Sequence, residues 1–226
     1  MLRQAKSTQI RGLYVIIDPQ MCNGRNPLQV AEAALLGGAN VLQLRDKISG
    51  DGDLVNMSKD MLDLCEKHKA CFIINDRIGL ISVSRRCGLH LGQHDLPLSY
   101  ARDLLGHETI IGRSNALLDE AIESERQGAD YVAVGSIFPT KSKSNTRHAG
   151  INVLKKVKEA VSVPVVAIGG IDSTNAKQVI QSGADAIAVL GFVCSATNPT
   201  ERARLLRNIL DVAFLERGND YAKQEA

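Results

Sequence analysis

The chain has no tryptophan, and only four phenylalanines and four tyrosines among its 226 residues. Its formal charge is +2, and no aromatic residues interleave with its scattered basic ones. Both facts argue against a nucleic-acid partner. No apolar run approaches the roughly 18 residues of a membrane span. The opening MLRQAKSTQI lacks the apolar core of a secretory signal,. The five cysteines, Cys22, Cys65, Cys71, Cys87 and Cys194, form no CxxC pair. In apolar surroundings they read as small hydrophobes, and the expected setting is a reducing cytoplasm. No Ser/His/Asp order, Cys/His pair or zinc spacing stands out, which disfavours nucleophilic and zinc chemistry. No linker or low-complexity tract divides the chain. A single domain over residues 1–226 is expected, with a polar lead over 1–11 and a frayed tail over 218–226.

What is present is a rhythm. Short apolar runs, most of them rich in Val and Ile, recur at Gly12–Ile17, Asn40–Leu44, Ala70–Ile74, Gly88–Leu91, Thr109–Gly112, Asp130–Gly135, Pro164–Gly169 and Asp185–Leu190. Each is too short for a helix and suits a strand buried on both faces. Between them lie segments of helical period such as PLQVAEAALLGG, LVNMSKDMLDLCEKH and INVLKKVKEAV. The final helix is expected over Thr200–Arg217. A Gly-Ala-(Asn/Asp) phrase recurs at Gly38, Gly128 and Gly183, marking three helix-to-strand turns of one design,. Alternation of this kind makes a parallel sheet, and eight units favour closure into a (β/α)8 TIM barrel.

Chemistry in such a barrel sits at the C-terminal ends of the strands. Strand two ends in Gln43, Arg45 and Lys47, which alternation puts on one side, suited to a polyanion. An ion-paired strand end would share that pattern. Strands three and four end in Asn75-Asp76 and Gly92-Gln93-His94-Asp95. Two carboxylates topping neighbouring strands could hold a hard divalent cation, although a lone Asp there also serves as a helix N-cap. His90, between two leucines, reads as packed, or as supporting a neighbouring site residue, rather than as catalytic. Strand five gives Gly112-Arg113-Ser114-Asn115. Strand six runs from Tyr131 through YVAVGSIFPTKSK to Lys143, delivering Thr140, Ser142 and Lys143. A solvated basic turn would look the same. Strand seven runs into Gly169-Gly170 and strand eight into Leu190-Gly191-Phe192, where bare amides could face a phosphate. The inventory suggests two anion sites, one cationic and one built of hydroxyls and amides.

The motifs QLRDK, INDR, LHLGQHDLP, GSIFPTKSK and AIGGI, in this order, resemble thiamine-phosphate synthases over about Gly12 to Ala213. That resemblance implies a (β/α)8 barrel condensing hydroxymethylpyrimidine pyrophosphate with thiazole phosphate to thiamine phosphate. It implies that Gln43, Arg45, Lys47, Asn75, Ser114 and Lys143 contact the pyrimidine pyrophosphate. It also implies Mg2+ at Asp76 and Asp95, and Thr140, Ser142, Gly170, Leu190 and Gly191 around the thiazole phosphate. Arg45, Lys47 and Lys143 would be the catalytic cations, in a dissociative reaction without a protein nucleophile. Four positions depart from the family pattern. Asn115-Ala116 stands where Thr-His is usual, Ser142 where Thr is common, and Gly191 where Ser is usual. Two rival activities share the barrel: a thiazole tautomerase, and a non-catalytic sensor of a phosphorylated ligand. Neither would need the cations and carboxylates of strands two to four. Small-molecule partners are expected, and a homo-oligomer stays open.

Overall fold

Eight parallel strands close on themselves in chain order. They are β1 (Gly12–Ile17), β2 (Val41–Leu44), β3 (Cys71–Asn75), β4 (Gly88–Leu91), β5 (Ile111–Asn115), β6 (Tyr131–Gly135), β7 (Val165–Ile168) and β8 (Ala186–Val189). The structure, a computed structural model, describes residues 9–82, 86–140 and 147–224. β8 returns to β1 in parallel, with Gly12 opposite Ala186, which closes the TIM barrel expected from the sequence.

Alternation along each strand splits the core in two. Leu13, Val15 and Ile17 pack outward with the helices, whereas Tyr14 and Ile16 join Val41, Ile73, Tyr131, Ala133, Val166, Ala186 and Ala188 inside the barrel. Burying one large apolar side chain in either layer contributes about 1.5–3 kcal/mol. The interior residues shrink from tyrosine on β1 and β6 to alanine on β8, so the inner layer is asymmetric.

The helices are α1 (Pro27–Leu36), α2 (Asp51–Lys67), α3 (Ile78–Ile81), α4 (Leu98–Leu105), α5 (Leu118–Arg126), α6 (Gly150–Ala160), α7 (Ala176–Gln181), α8 (Gly191–Cys194) and α9 (Pro199–Gln224). α1 begins as its sequence dictates: the Asn26 side chain accepts from the Leu28 amide at 2.9 Å and Pro27 takes the first helical position,. Among the described residues no helix is long and apolar enough to cross a membrane.

The three Gly-Ala-(Asn/Asp) phrases form one device at the N-terminal face. Gly38, Gly128 and Gly183 all have φ between +96° and +107°, a region open to glycine,. The side chain two residues on then accepts a backbone amide at the start of the preceding neighbour strand. Asn40 takes Leu13 at 3.0 Å, Asp130 takes Ile111 at 2.8 Å and Asp185 takes Val165 at 2.8 Å. A cation closes each one: Arg207 on Asn40, Arg102 on Asp130, and Lys158 on Asp185.

Two expectations on element bounds are corrected. Strand five runs over Ile111–Asn115 rather than Thr109–Gly112. Its polar end stays in the ladder because Ser114 pairs in register with Ala133 and Asn115 with Val134. The last helix continues to Gln224 instead of ending at Arg217, so the chain over 218–224 is helical. Gly218 weakens a helix by about 1 kcal/mol relative to alanine without ending it, and the polar residues after it are compatible with helix. The cysteines are free thiols. Burial pushes Cys87 up to about 11 and Cys71 up to about 12, as expected of packed hydrophobes.

Candidate active site

The C-terminal ends of β1 to β4 carry a charged cluster. Gln43, at 2 % exposure, points into the barrel and donates from Nε2 to the Tyr14 hydroxyl at 2.6 Å. Past the strand end, Arg45 forms an ion pair with Asp18, and Lys47 with Asp76. Of the two patterns the sequence left open, the ion-paired strand end is the one present in the structure. Arg45 Nε is buried with no hydrogen-bond partner, a donor that an anion would satisfy,.

Asp76 has φ of +61°, a left-handed position that aspartate tolerates better than most residues,. Its carboxylate also accepts from Asn75 Nδ2 at 2.6 Å. Asp95 accepts from the Gly92 amide at 2.8 Å. Burial, then the hydrogen-bonded and like-charged Asp76, hold the Asp95 carboxyl above the usual aspartate range,. The sequence placed these two carboxylates on neighbouring strands, and the structure brings them into contact. Among the described residues no group of three or more His, Cys, Asp or Glu side chains could hold a metal. The pair still fits a hard divalent cation that takes its other oxygens from substrate and water. Such an ion would relieve the repulsion that raises Asp95.

The ends of β4 to β8, with Ile16 of β1, line a cavity of about 640 Å3. Its floor is apolar, from Ile16, Ala133, Ile168 and Ala188, and its rim carries Ser114, Thr140, Gly170, Leu190 and Gly191. Both glycines of the β7 turn have positive φ, +102° and +64°. A Cβ on Gly170 would stand 2.5 Å from the Pro139 carbonyl oxygen, so the turn is built for close approach of the β6 loop. Ser142 and Lys143 lie outside the described residues. Ser114 belongs to both halves: it lines the cavity and takes a 2.8 Å hydrogen bond with His90 Nε2.

Asn115 and Ala116, the departures after strand five, divide in role. The Asn115 side chain is 3 % exposed and engages Ser124 at 2.8 Å and the Arg113 carbonyl at 2.9 Å. Ala116 lines the cavity. His94 and Arg147 line it as well, with Arg147 paired to Glu120 at 2.7 Å. His148 is exposed.

Sequence reasoning missed Asp18, which is 3 % exposed and follows β1 directly. The rule applied to the other strand ends would have found it. It missed Tyr14 and Tyr131 as polar groups, because each sits inside an apolar run. A larger hollow, about 830 Å3, opens at the opposite face among Arg11, Asn40, Lys69, Arg207 and Phe214. No strand C-terminus reaches it, so it lies away from the end where barrel chemistry gathers.

A closed parallel barrel with its polar groups gathered at the strand C-termini defines the (β/α)8-barrel enzymes. Residues 13–193 match the family described as thiamine monophosphate synthase, TMP-TENI. Thiamine-phosphate synthase of Methanospirillum hungatei is 39% identical over 200 residues, spanning 88% of this chain and 97% of its own. That of Moorella thermoacetica is 41% identical over 199 residues, 88% and 95% of the two chains. The solved thiamine phosphate pyrophosphorylase of Pyrococcus furiosus superposes with a TM-score of 0.84 at 34% identity, covering 92% of this chain and 98% of its own. The chain belongs to the thiamine monophosphate synthase family and is a transferase of thiamine biosynthesis.

Proposed function

We propose that the enzyme joins hydroxymethylpyrimidine pyrophosphate to thiazole phosphate, giving thiamine phosphate and pyrophosphate. The observation that carries this reading is the division of one barrel mouth into unlike halves. Cations and a carboxylate pair crown β2 to β4, and an apolar-floored cavity rimmed by hydroxyl and glycine positions lies mainly over β5 to β8, reaching the end of β4. A donor that loses pyrophosphate needs the first half, and a neutral heterocycle bearing one phosphate suits the second.

In the reaction the methylene C–O bond breaks and its electron pair leaves with the pyrophosphate. The aminopyrimidine ring delocalises the methylene cation, and the thiazole nitrogen lone pair forms the new C–N bond. No proton need move and no protein nucleophile is required. Arg45, Lys47 and Asn75 hold the departing pyrophosphate, and Gln43 and Ser114 contact the same pyrimidine pyrophosphate. Lys143, carried over by family motif, adds a further cation. Asp76 and Asp95 would hold Mg2+, which when bound supplies charge neutralisation on the leaving oxygens. Thr140, Ser142, Gly170, Leu190 and Gly191 surround the acceptor phosphate. The apolar floor at Ile16, Ala133, Ile168 and Ala188 keeps water from the cation,. Catalysis is positioning plus electrostatic stabilisation. Free thiols suit a reducing cytoplasm, and the expected partners are the two small substrates,.

The test is direct. Purified protein is incubated with both substrates, with Mg2+ or with a chelator, and the products are separated. Thiamine phosphate and pyrophosphate should form together, and only with metal. Isomerisation of the thiazole phosphate alone would replace this reading with the tautomerase.

A further inference from the structure

Five polar side chains cross the barrel interior in an unbroken line. Gln43 Nε2 lies 2.6 Å from the Tyr14 hydroxyl, which lies 3.1 Å from the Tyr131 hydroxyl. Tyr131 lies 2.9 Å from His90 Nδ1, and His90 Nε2 lies 2.8 Å from Ser114 Oγ. Five strands contribute one residue each: β2, β1, β6, β4 and β5. The Tyr131 ring stacks on His90 with centroids 5.7 Å apart at 25°, which fixes the plane of the imidazole. Gly112 makes the room, since a Cβ there would stand 2.0 Å from the Tyr131 ring.

Counting hydrogens gives the line a direction. An amide nitrogen only donates, and each phenol has a single hydrogen. Gln43 donates to Tyr14, so the Tyr14 hydrogen passes to Tyr131 and the Tyr131 hydrogen to His90 Nδ1. Nδ1 is then an acceptor, the ring proton sits on Nε2, and it is donated to Ser114. Having accepted, the serine oxygen turns its own hydrogen toward the cavity it lines. Burial raises both phenols above the usual tyrosine range, so neither releases its proton. With the carboxamide turned round, every link would reverse. Ser114 would then give its hydrogen to His90 and meet an incoming anion with lone pairs.

We propose that Tyr14, Tyr131 and His90 are positioning residues: a one-way hydrogen-bond chain from the Gln43 carboxamide holds His90 as its neutral Nε2–H tautomer and makes Ser114 a donor into the barrel mouth. The use of that donor, on an oxygen of the phosphorylated substrate, rests on the function proposed above. The direction of the chain is a property of the unliganded protein and stands or falls by itself.

Nitrogen NMR of the full chain with ring-labelled histidine reads the tautomer, the His90 signals being assigned by their loss in His90→Gln. Wild type should show a protonated Nε2 and a bare Nδ1. Protonation at Nδ1 in the wild-type protein, alone or with Nε2, overturns the proposal. Gln43→Glu, read at a pH where the new carboxyl is ionised, supplies a carboxylate that only accepts, so His90 should switch to Nδ1–H; an unchanged tautomer there also overturns it. Tyr131→Phe keeps the ring and removes the relay. It should mix the His90 tautomers and raise KM for the pyrimidine pyrophosphate roughly tenfold, the scale of one hydrogen bond, with KM for thiazole phosphate unchanged. An equal change in both KM values would mark a structural role and sink the assignment. Should no thiamine phosphate form while His90 remains Nε2–H, the functional reading fails and the directed chain survives.

Discussion

The two ends of this barrel use aspartates in opposite ways. At the N-terminal face Asp130 and Asp185 each have a strand amide and a cation to themselves. At the C-terminal face Asp76 and Asp95 are crowded against each other, with Asp95 held above the usual aspartate range. The satisfied carboxylates fasten neighbouring strands together. The crowded pair, with Lys47 on Asp76, strains the folded state. A barrel can carry that strain at one end because the other is fastened.

The largest effect should come from undoing the satisfied end. Asp130→Ala strips Arg102 of its partner, where both side chains are under a tenth exposed, and orphans the Ile111 amide. Breaking a buried pair from one side costs about 3–5 kcal/mol. Urea unfolding should show that loss, while turnover per folded molecule stays near wild type. Lost turnover in the folded fraction would mean that the two ends are not separable.

Asp95→Asn should do the reverse. Turnover to thiamine phosphate should fall by about a hundredfold or more, the scale of losing a charge-stabilising group, while the melting temperature holds or rises. Mg2+ should raise the melting temperature of wild type by mass action and leave Asp95→Asn unmoved. A variant that melts as early as Asp130→Ala would erase the contrast.

The contrast was half legible in the sequence. Eight apolar runs, most of them rich in Val and Ile, announce the barrel because strands buried on both faces cannot alternate in polarity. Asp76 and Asp95 could be placed on neighbouring strand ends because chain order is spatial order in such a barrel. Their contact could not, nor could the pairing of Lys47 with one of them. The polar line across the interior was hidden for the same reason. Tyr14 and Tyr131 meet across 117 residues of sequence, and each looks like one more apolar member of its strand. His90 reads as packed between leucines, which is correct and says nothing of its partners. Strand five was placed early because Arg113, Ser114 and Asn115 look like loop, whereas a barrel mouth puts its working polar residues within the strand ends.

Glu120 asks whether location or satisfaction decides the behaviour of a carboxylate, since it sits at the active-site end and is satisfied. Its Oε2 accepts from the Ala116 amide at 2.8 Å and the Leu117 amide at 3.2 Å, and Arg147 pairs with it at 2.7 Å. Burial pulls its carboxyl upward, but Arg147 and the two amides outweigh burial and hold it below the usual glutamate range. A folded-state value below the unfolded one means stability present above the ordinary glutamate range and lost as the pH falls through the folded value. Glu120→Gln keeps an oxygen for the amides and removes the charge, so it should cost about 0.5–1 kcal/mol at pH 7. The gap between the two chains, read by urea unfolding, should close as the pH is lowered below the ordinary glutamate range. A gap that persists in acid would assign the effect to shape rather than charge. A gap of the opposite sign would make the active-site end itself, and not the crowding of Asp76 and Asp95, the source of the strain.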